Sequence, residues 1–239
     1  MEKYSKRYRI GLSLIVLLCF TLSSQAQGSK PKNNTLSDYR FQHFGYSVGV
    51  NLGGFTLNQN NPNLYSMKLT RRWGININGI IDFRLAKYLN FRFLPGIQFT
   101  ERDLTVLDKF DPAPRNIRIE SIFIDLPLLL KYHAERVNNY APYLVVGINP
   151  RLGLIRNEIV GFVLGPPLLK WFDIYPELGV GIDSYLSDAK LGIELKFSVG
   201  LLDIFMSPPI TTNSLDYTAY RAGTSSIFSR ILILAVNIE

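Results

Sequence analysis

Residues able to do chemistry are sparse in this chain. It has two histidines, His43 and His133, and one cysteine, Cys19. A zinc site takes three or four ligands, and two distant histidines do not supply them. Ser121, Ser184 and Ser198 have no evident histidine partner to form a nucleophile and base. The glycine-rich stretches "GVNLGG" and "GVGID" match neither phosphate-loop pattern. What remains is a set of charged residues embedded singly in apolar surroundings: Asp82, Arg84, Arg92, Asp125, Lys131, Arg151, Glu177, Asp183, Glu194 and Lys196. Its carboxylates can be read as a general acid and base, or as half of a buried ion-pair network. The near balance of acids and bases favours the network, because buried charges require partners.

The elements that must position these charges follow from hydrophobic period. In "SIFIDLPLLLKYHAERVNNYAPYLVVG", residues 121–147, a buried helix would carry Pro127 in its interior at a cost of about 3 kcal/mol. A transmembrane helix needs roughly 20 consecutive apolar residues, and Asp125 and Lys131 interrupt the run. A period of two separates Ile122, Ile124, Leu126, Leu128, Leu130 and Tyr132 from Ser121, Asp125, Lys131 and His133. The stretch therefore reads as a strand with one apolar and one mixed face. The same alternation predicts strands at about 43–52, 73–85, 89–102, 118–132, 143–152, 172–186, 190–202 and 228–238. In the seventh, Leu191, Ile193, Leu195, Phe197, Val199 and Leu201 oppose Gly192, Glu194, Lys196, Ser198 and Gly200.

Connection lengths alternate. Short turns at 86–88, 135–139 and 187–189 face long loops at 53–72, 106–117, 153–171 and 203–227. This predicts an all-β fold: an eight-stranded antiparallel up-and-down transmembrane β-barrel over residues 42–239. Closure satisfies every backbone group in hydrocarbon. It turns the apolar faces to lipid and the charged set inward as a lumen polar network. Aromatic girdles are expected from Trp73 and Trp171 at the long-loop side and from Tyr88, Tyr132, Tyr143 and Tyr185 at the short-turn side. Pro95 and Pro127 lack a ladder N–H, so bulges are expected there.

The beginning of the chain addresses the compartment. Lys3, Lys6, Arg7 and Arg9 precede an apolar run at 10–22 that is too short to span, followed by Ser24-Gln25-Ala26. This predicts a signal peptide, residues 1–26, cleaved after Ala26. Residues 27–41 read as a flexible periplasmic leader, both termini being periplasmic. Leu18 stands before Cys19 where a lipoprotein signal wants a small residue. Removing 1–26 takes four basic residues and Glu2 from the formal charge of +7, leaving +4. That mild, scattered charge does not make a nucleic-acid site. No cofactor is expected. The expected partner on these grounds is outer-membrane lipid; the oligomeric state stays open.

"HFGYSVGVN" (43–51), "IFIDLPLLLKYHAERVNNYAPYLVVG" (122–147) and "SRILILAVNIE" (229–239) together resemble the PorT/SprT family of Bacteroidetes outer-membrane proteins. The "LPLLLKY" element recurs across the wider Bacteroidetes eight-stranded barrels, whereas its combination with the "HFG" strand and the "ERVNNYAPY" turn is more specific. The resemblance implies a non-catalytic accessory or assembly role in type IX protein secretion, and in gliding motility where that exists. It supplies no catalytic residues. Two alternatives stay open: a generic small barrel with surface ligand-binding or envelope-stabilising roles, and a lipid-modifying outer-membrane enzyme.

Overall fold

Alternation of apolar and polar side chains is realised as extended backbone almost throughout. The computed structural model describes Asn33 and residues 40–59, 65–108, 115–155, 158–160, 163–164, 169–206 and 224–239. The expected signal peptide lies outside these residues, as does the leader apart from Asn33, Arg40 and Phe41.

The strands are β1 (Gln42–Gln59), β2 (Tyr65–Arg84), β3 (Leu89–Phe93), β4 (Gly96–Asp108), β5 (Arg115–Asp125), β6 (Leu128–His133), β7 (Tyr140–Ile155), β8 (Glu158–Val160), β9 (Val163–Leu164), β10 (Phe172–Tyr185), β11 (Lys190–Val199) and β12 (Thr224–Ile238). All pairings between them are antiparallel. β3 with β4, and β5 with β6, are single staves interrupted at a proline, and β8 and β9 form a small hairpin beside β5. The remaining ring has eight staves and closes through β1, which pairs with both β2 and β12.

The expected bulges at the prolines are absent, and this corrects the sequence reading. Asn78↔Gly96 and Ile81↔Phe93 belong to one unshifted register across Pro95. Asp125↔Arg151 and Leu128↔Ile148 do the same across Pro127. Each proline forfeits only its own donor, and its carbonyl still accepts: Gly79 N–H donates to Pro95 O at 2.8 Å and Leu94 N–H to Pro127 O at 3.1 Å. Register shifts fall instead between Arg71 and Ile75, between Ile122 and Phe123 and at Asn58/Gln59.

Outside, the wall is a continuous apolar belt. Leu195, Leu234 and Val180 neighbour one another across β11, β12 and β10, each more than two-fifths exposed. Such a contiguous surface is tenable only against lipid. Inside, Ile80, Leu94, Leu129, Tyr143 and Val145 form one packed cluster, and Tyr175, Ile231, Ile233 and Ala235 another. At one end the connections are short, and Asn138 in the turn after β6 adopts φ of 55°. At the other, β1 runs 18 residues and β2 runs 20, well beyond the roughly 9–11 needed to cross a bilayer. Much of the expected loops 53–72 and 106–117 is therefore strand projecting past the belt.

Candidate functional site

The interior of an eight-stranded barrel is about as wide as the side chains that fill it. Here the filling is charged and ordered. Asp82 on β2 and Arg92 on β3 are cross-strand partners. Arg92 Nε and Nη2 each lie 2.8 Å from Asp82 Oδ2. Asn90 donates to the other oxygen at 2.6 Å.

From Arg92 a connected chain of opposite charges runs along the lumen. Toward the short turns, Arg92 meets Glu239 at 2.5 Å and Glu239 meets Lys190 at 2.5 Å. In the other direction Arg92 reaches Glu194 at 3.5 Å, Glu194 reaches Lys196 at 3.4 Å, and Lys196 reaches Glu177 at 3.7 Å. Glu177 meets Arg151 at 3.2 Å, and Arg151 meets Asp125 at 3.0 Å. Every link joins a cation to a carboxylate, so burial, which would be ruinous for a lone charge, is offset at each step. Neutral groups add hydrogen bonds to the carboxylates. Tyr143 Oη donates to Glu194 at 2.9 Å, and Asn149 and Ser198 donate to Glu177 at 2.8 and 3.0 Å. Lys131 and Asp183 form a separate buried pair at 2.6 Å, with the ammonium 3.9 Å from the Tyr143 ring centroid.

Glu239, just beyond β12, has its carboxyl pushed up by burial. Arg92 and Lys190 outweigh that effect and hold it well below the usual carboxylate range.

Of the ten charges read from sequence, seven lie in this chain or on its Asp82 branch, and Lys131 and Asp183 pair beside it. Arg84 does not join. It ends β2, is half-buried at the short-turn rim, and its Nε donates to Ala86 O at 3.4 Å. The stave has ended by that level, so its guanidinium reaches the mouth and not the packed interior.

Among the girdle residues, Trp73, Trp171 and Tyr132 point outward, and Tyr88 packs at the rim against Tyr132 and His133. Tyr143 and Tyr185 do not belong to a girdle, being only 3% and 9% exposed. Both are in phase with the lumen residues of their strands, Tyr143 with Asn149 and Arg151, Tyr185 with Glu177 and Asp183. Gly181 leaves the space that the Tyr143 ring occupies; a Cβ there would strike it.

Lys190, Glu239, Arg102 and Tyr175 were missed, although strand phase points to each. Arg102 is fully buried, donates to Ser229 Oγ at 3.0 Å and lies 4.2 Å from the Phe55 ring centroid. Near the long-loop end, Arg72, Asp103 and Arg118 form an exterior cluster, with Arg72–Asp103 at 2.5 Å and Arg118–Asp103 at 3.5 Å. It adjoins Trp73 and marks where the lipid-facing belt gives way to water.

His43 and His133 line the short-turn mouth. No group of three potential metal ligands occurs among the described residues. Ser198 is bonded to a carboxylate and not to a base.

An apolar exterior, a closed ring and a charge-filled interior define a small outer-membrane β-barrel. The chain belongs to the family described as the outer membrane protein beta-barrel domain, which it matches over residues 25–206. No curated protein matches it. Similar solved structures include OprG from Pseudomonas aeruginosa (10% identity, 82% of this chain and 92% of that chain, TM-score 0.47). Neisserial surface protein A (10%, 83% and 99%, TM-score 0.40) is another. Ail of Yersinia pestis (8%, 82% and 97%, TM-score 0.37) is a third.

Proposed function

We propose that this barrel is a non-catalytic accessory or assembly component of type IX protein secretion, and of gliding motility where that occurs. The reading rests on the resemblance of residues 43–51, 122–147 and 229–239 to the PorT/SprT family. One structural observation supports it: a connected chain of buried ion pairs runs through the lumen from Lys190 near the short-turn rim to Asp125. Exported polypeptide cannot pass through such an interior, so a role in secretion must be exercised on other proteins, from the rim, turns or loops. On this reading the signal segment is removed after Ala26, and the short turns and both chain ends lie in the periplasm. The partners are then outer-membrane lipid and the proteins of the secretion machine.

A deletion strain tests it. Type IX cargo should accumulate in the periplasm and disappear from the medium while the outer membrane stays intact. Normal export with unchanged surface spreading would discard the secretion role. A generic surface-binding barrel would then be the better reading, and the exterior Arg72–Asp103–Arg118 cluster on the projecting strands favours that alternative.

A further inference from the structure

At the top of the apolar wall, on the long-loop side, Arg230 of β12 and Arg71 of β2 meet over a glycine. Ser229 and Ile231 are fully buried, so Arg230 between them faces outward, and it is exposed. Its register partner on β1 is Gly54. A Cβ on Gly53 would strike Thr100 in the lumen, so Gly54, the next residue, turns its bare backbone to the outside. Arg71, also exposed, lies across that bare position. Its Nε, Cγ and Cδ stand 3.0, 3.4 and 3.5 Å from the place a Gly54 Cβ would take. The ladder between β1 and β2 ends at Gly53↔Arg72, where β2 also shifts register against β4, and a bulge of this kind re-aims the side chains beside it. Nearby, Arg72 and Arg118 are held by Asp103. Arg71 and Arg230 make no ion pair or side-chain hydrogen bond among the described residues. Like charges at neighbouring cross-strand positions destabilise a sheet, and an anion between them reverses the sign.

We infer that Arg71 and Arg230 hold the phosphate monoester of a membrane lipid whose acyl chains lie against the wall below them. The layer beneath is apolar: Leu52 pairs with Trp73 on one side and Leu232 on the other, and Leu232 with Phe197. Trp73, Leu232 and Phe197 are each more than two-fifths exposed. A tryptophan at the end of the belt marks the level of the headgroups, and the two arginines occupy the next outward positions beyond it. A guanidinium fork matches phosphate oxygens in shape as well as charge. Two unpaired cations suit the charge of about −1.5 to −2 on a monoester at neutral pH better than the single charge of a diester. A free anion would leave the apolar layer below unused, whereas a lipid engages both. The inference rests on the barrel spanning a membrane and holds whether or not the protein serves type IX secretion.

The test places the full barrel in phosphatidylcholine vesicles with one tryptophan kept at a time, since the chain has two. Lipids with brominated chains quench an indole that they touch. In Trp171→Phe, brominated phosphatidic acid, a bare monoester, should replace phosphatidylcholine beside Trp73 with a relative association constant of about ten, and brominated phosphatidylglycerol with one below about three. Adding Arg71→Gln/Arg230→Gln should bring the phosphatidic acid value to about one, whereas Arg84→Gln, at the opposite end of the barrel, leaves it unchanged. In Trp73→Phe, the remaining Trp171 should report no such preference. These comparisons between lipids and between reporters need no arginine variant to fold. Phosphatidylglycerol equal to phosphatidic acid, a preference that survives the double variant, or an equal preference at Trp171 would overturn the inference. So would inorganic phosphate in solution abolishing the preference, which would assign the two arginines to a free anion.

Discussion

Asp82 and Arg92 face each other across β2 and β3, fully buried, with two guanidinium nitrogens 2.8 Å from one carboxylate oxygen. Arg92 also holds Glu239 and Glu194, so three carboxylates converge on one cation. That junction joins the short-turn end of the lumen to its middle.

Arg92→Met should therefore be among the most damaging lumen substitutions. It leaves Asp82 buried without its ion-pair partner, Glu194 with Lys196 alone and Glu239 with Lys190 alone. The expected loss is about 3–5 kcal/mol, read as a lowered denaturant midpoint for the barrel refolded in lipid. A midpoint within experimental error of the parent would show that water reaches these carboxylates.

The belt makes a depth-dependent prediction. Leu195 lies between Leu234 and Val180 in the apolar wall, whereas Leu154 lies just past Gly153, which bonds the backbone of Trp171. Leu195→Arg should cost about 2–4 kcal/mol and Leu154→Arg about 0–1 kcal/mol. Heat-modifiable gel mobility and urea titration in vesicles read both. Equal costs would misplace the belt.

Tyr143 and Gly181 form a packed unit, since a Cβ at 181 would strike the Tyr143 ring. Gly181→Ala should destabilise by about 1–3 kcal/mol through overpacking. Tyr143→Phe should cost about 1–2 kcal/mol by leaving Glu194 short of a donor. The two residues touch, so the double variant should depart measurably from the sum of the single effects. Strict additivity in a double-mutant cycle would deny the contact.

Glu239 supplies a pH dependence. Its carboxyl is raised by burial but held below its ordinary value by Arg92 and Lys190. A carboxyl with a lowered folded value contributes stability above its unfolded value, and that contribution is lost as pH falls toward the folded value. The stability gap between the parent and Glu239→Gln should thus be full at neutral pH and narrow steadily below about pH 4.3. A gap independent of pH down to 2 would contradict the pairing.

Much of the fold was legible because lipid outside and charge inside make a strong period of two. In β11 and β12 the alternation from Leu191 to Val199 and from Leu232 to Ile238 assigns each face without ambiguity. The same phase, followed strictly, places Tyr143, Tyr185, Arg102 and Lys190 inside; grouping tyrosines by nearness to strand ends obscured it. The projecting parts of β1 and β2 were passed over although a short alternation continues in them, Phe55 and Leu57 against Thr56 and Asn58, and Tyr65, Met67 and Leu69 against Ser66, Lys68 and Thr70. The apolar positions there are fewer and set among polar residues and a glycine pair, so the segments read as loop. The prolines misled because a missing donor was equated with a shifted register, whereas the ladder simply skips one bond. Nor does strand phase reveal who pairs with whom. Arg92 and Glu194 are 102 residues apart and meet only because the ring closes and its staves are staggered.

The most direct test of the sealed, charge-filled lumen is single-channel recording of the purified barrel in planar bilayers. A lumen occupied from Lys190 to Asp125 predicts a flat baseline with no steady open level over the full voltage range. Large, stable conductance steps from monomeric protein would contradict it, showing that the chain of ion pairs does not close the interior and that the protein is itself a pore.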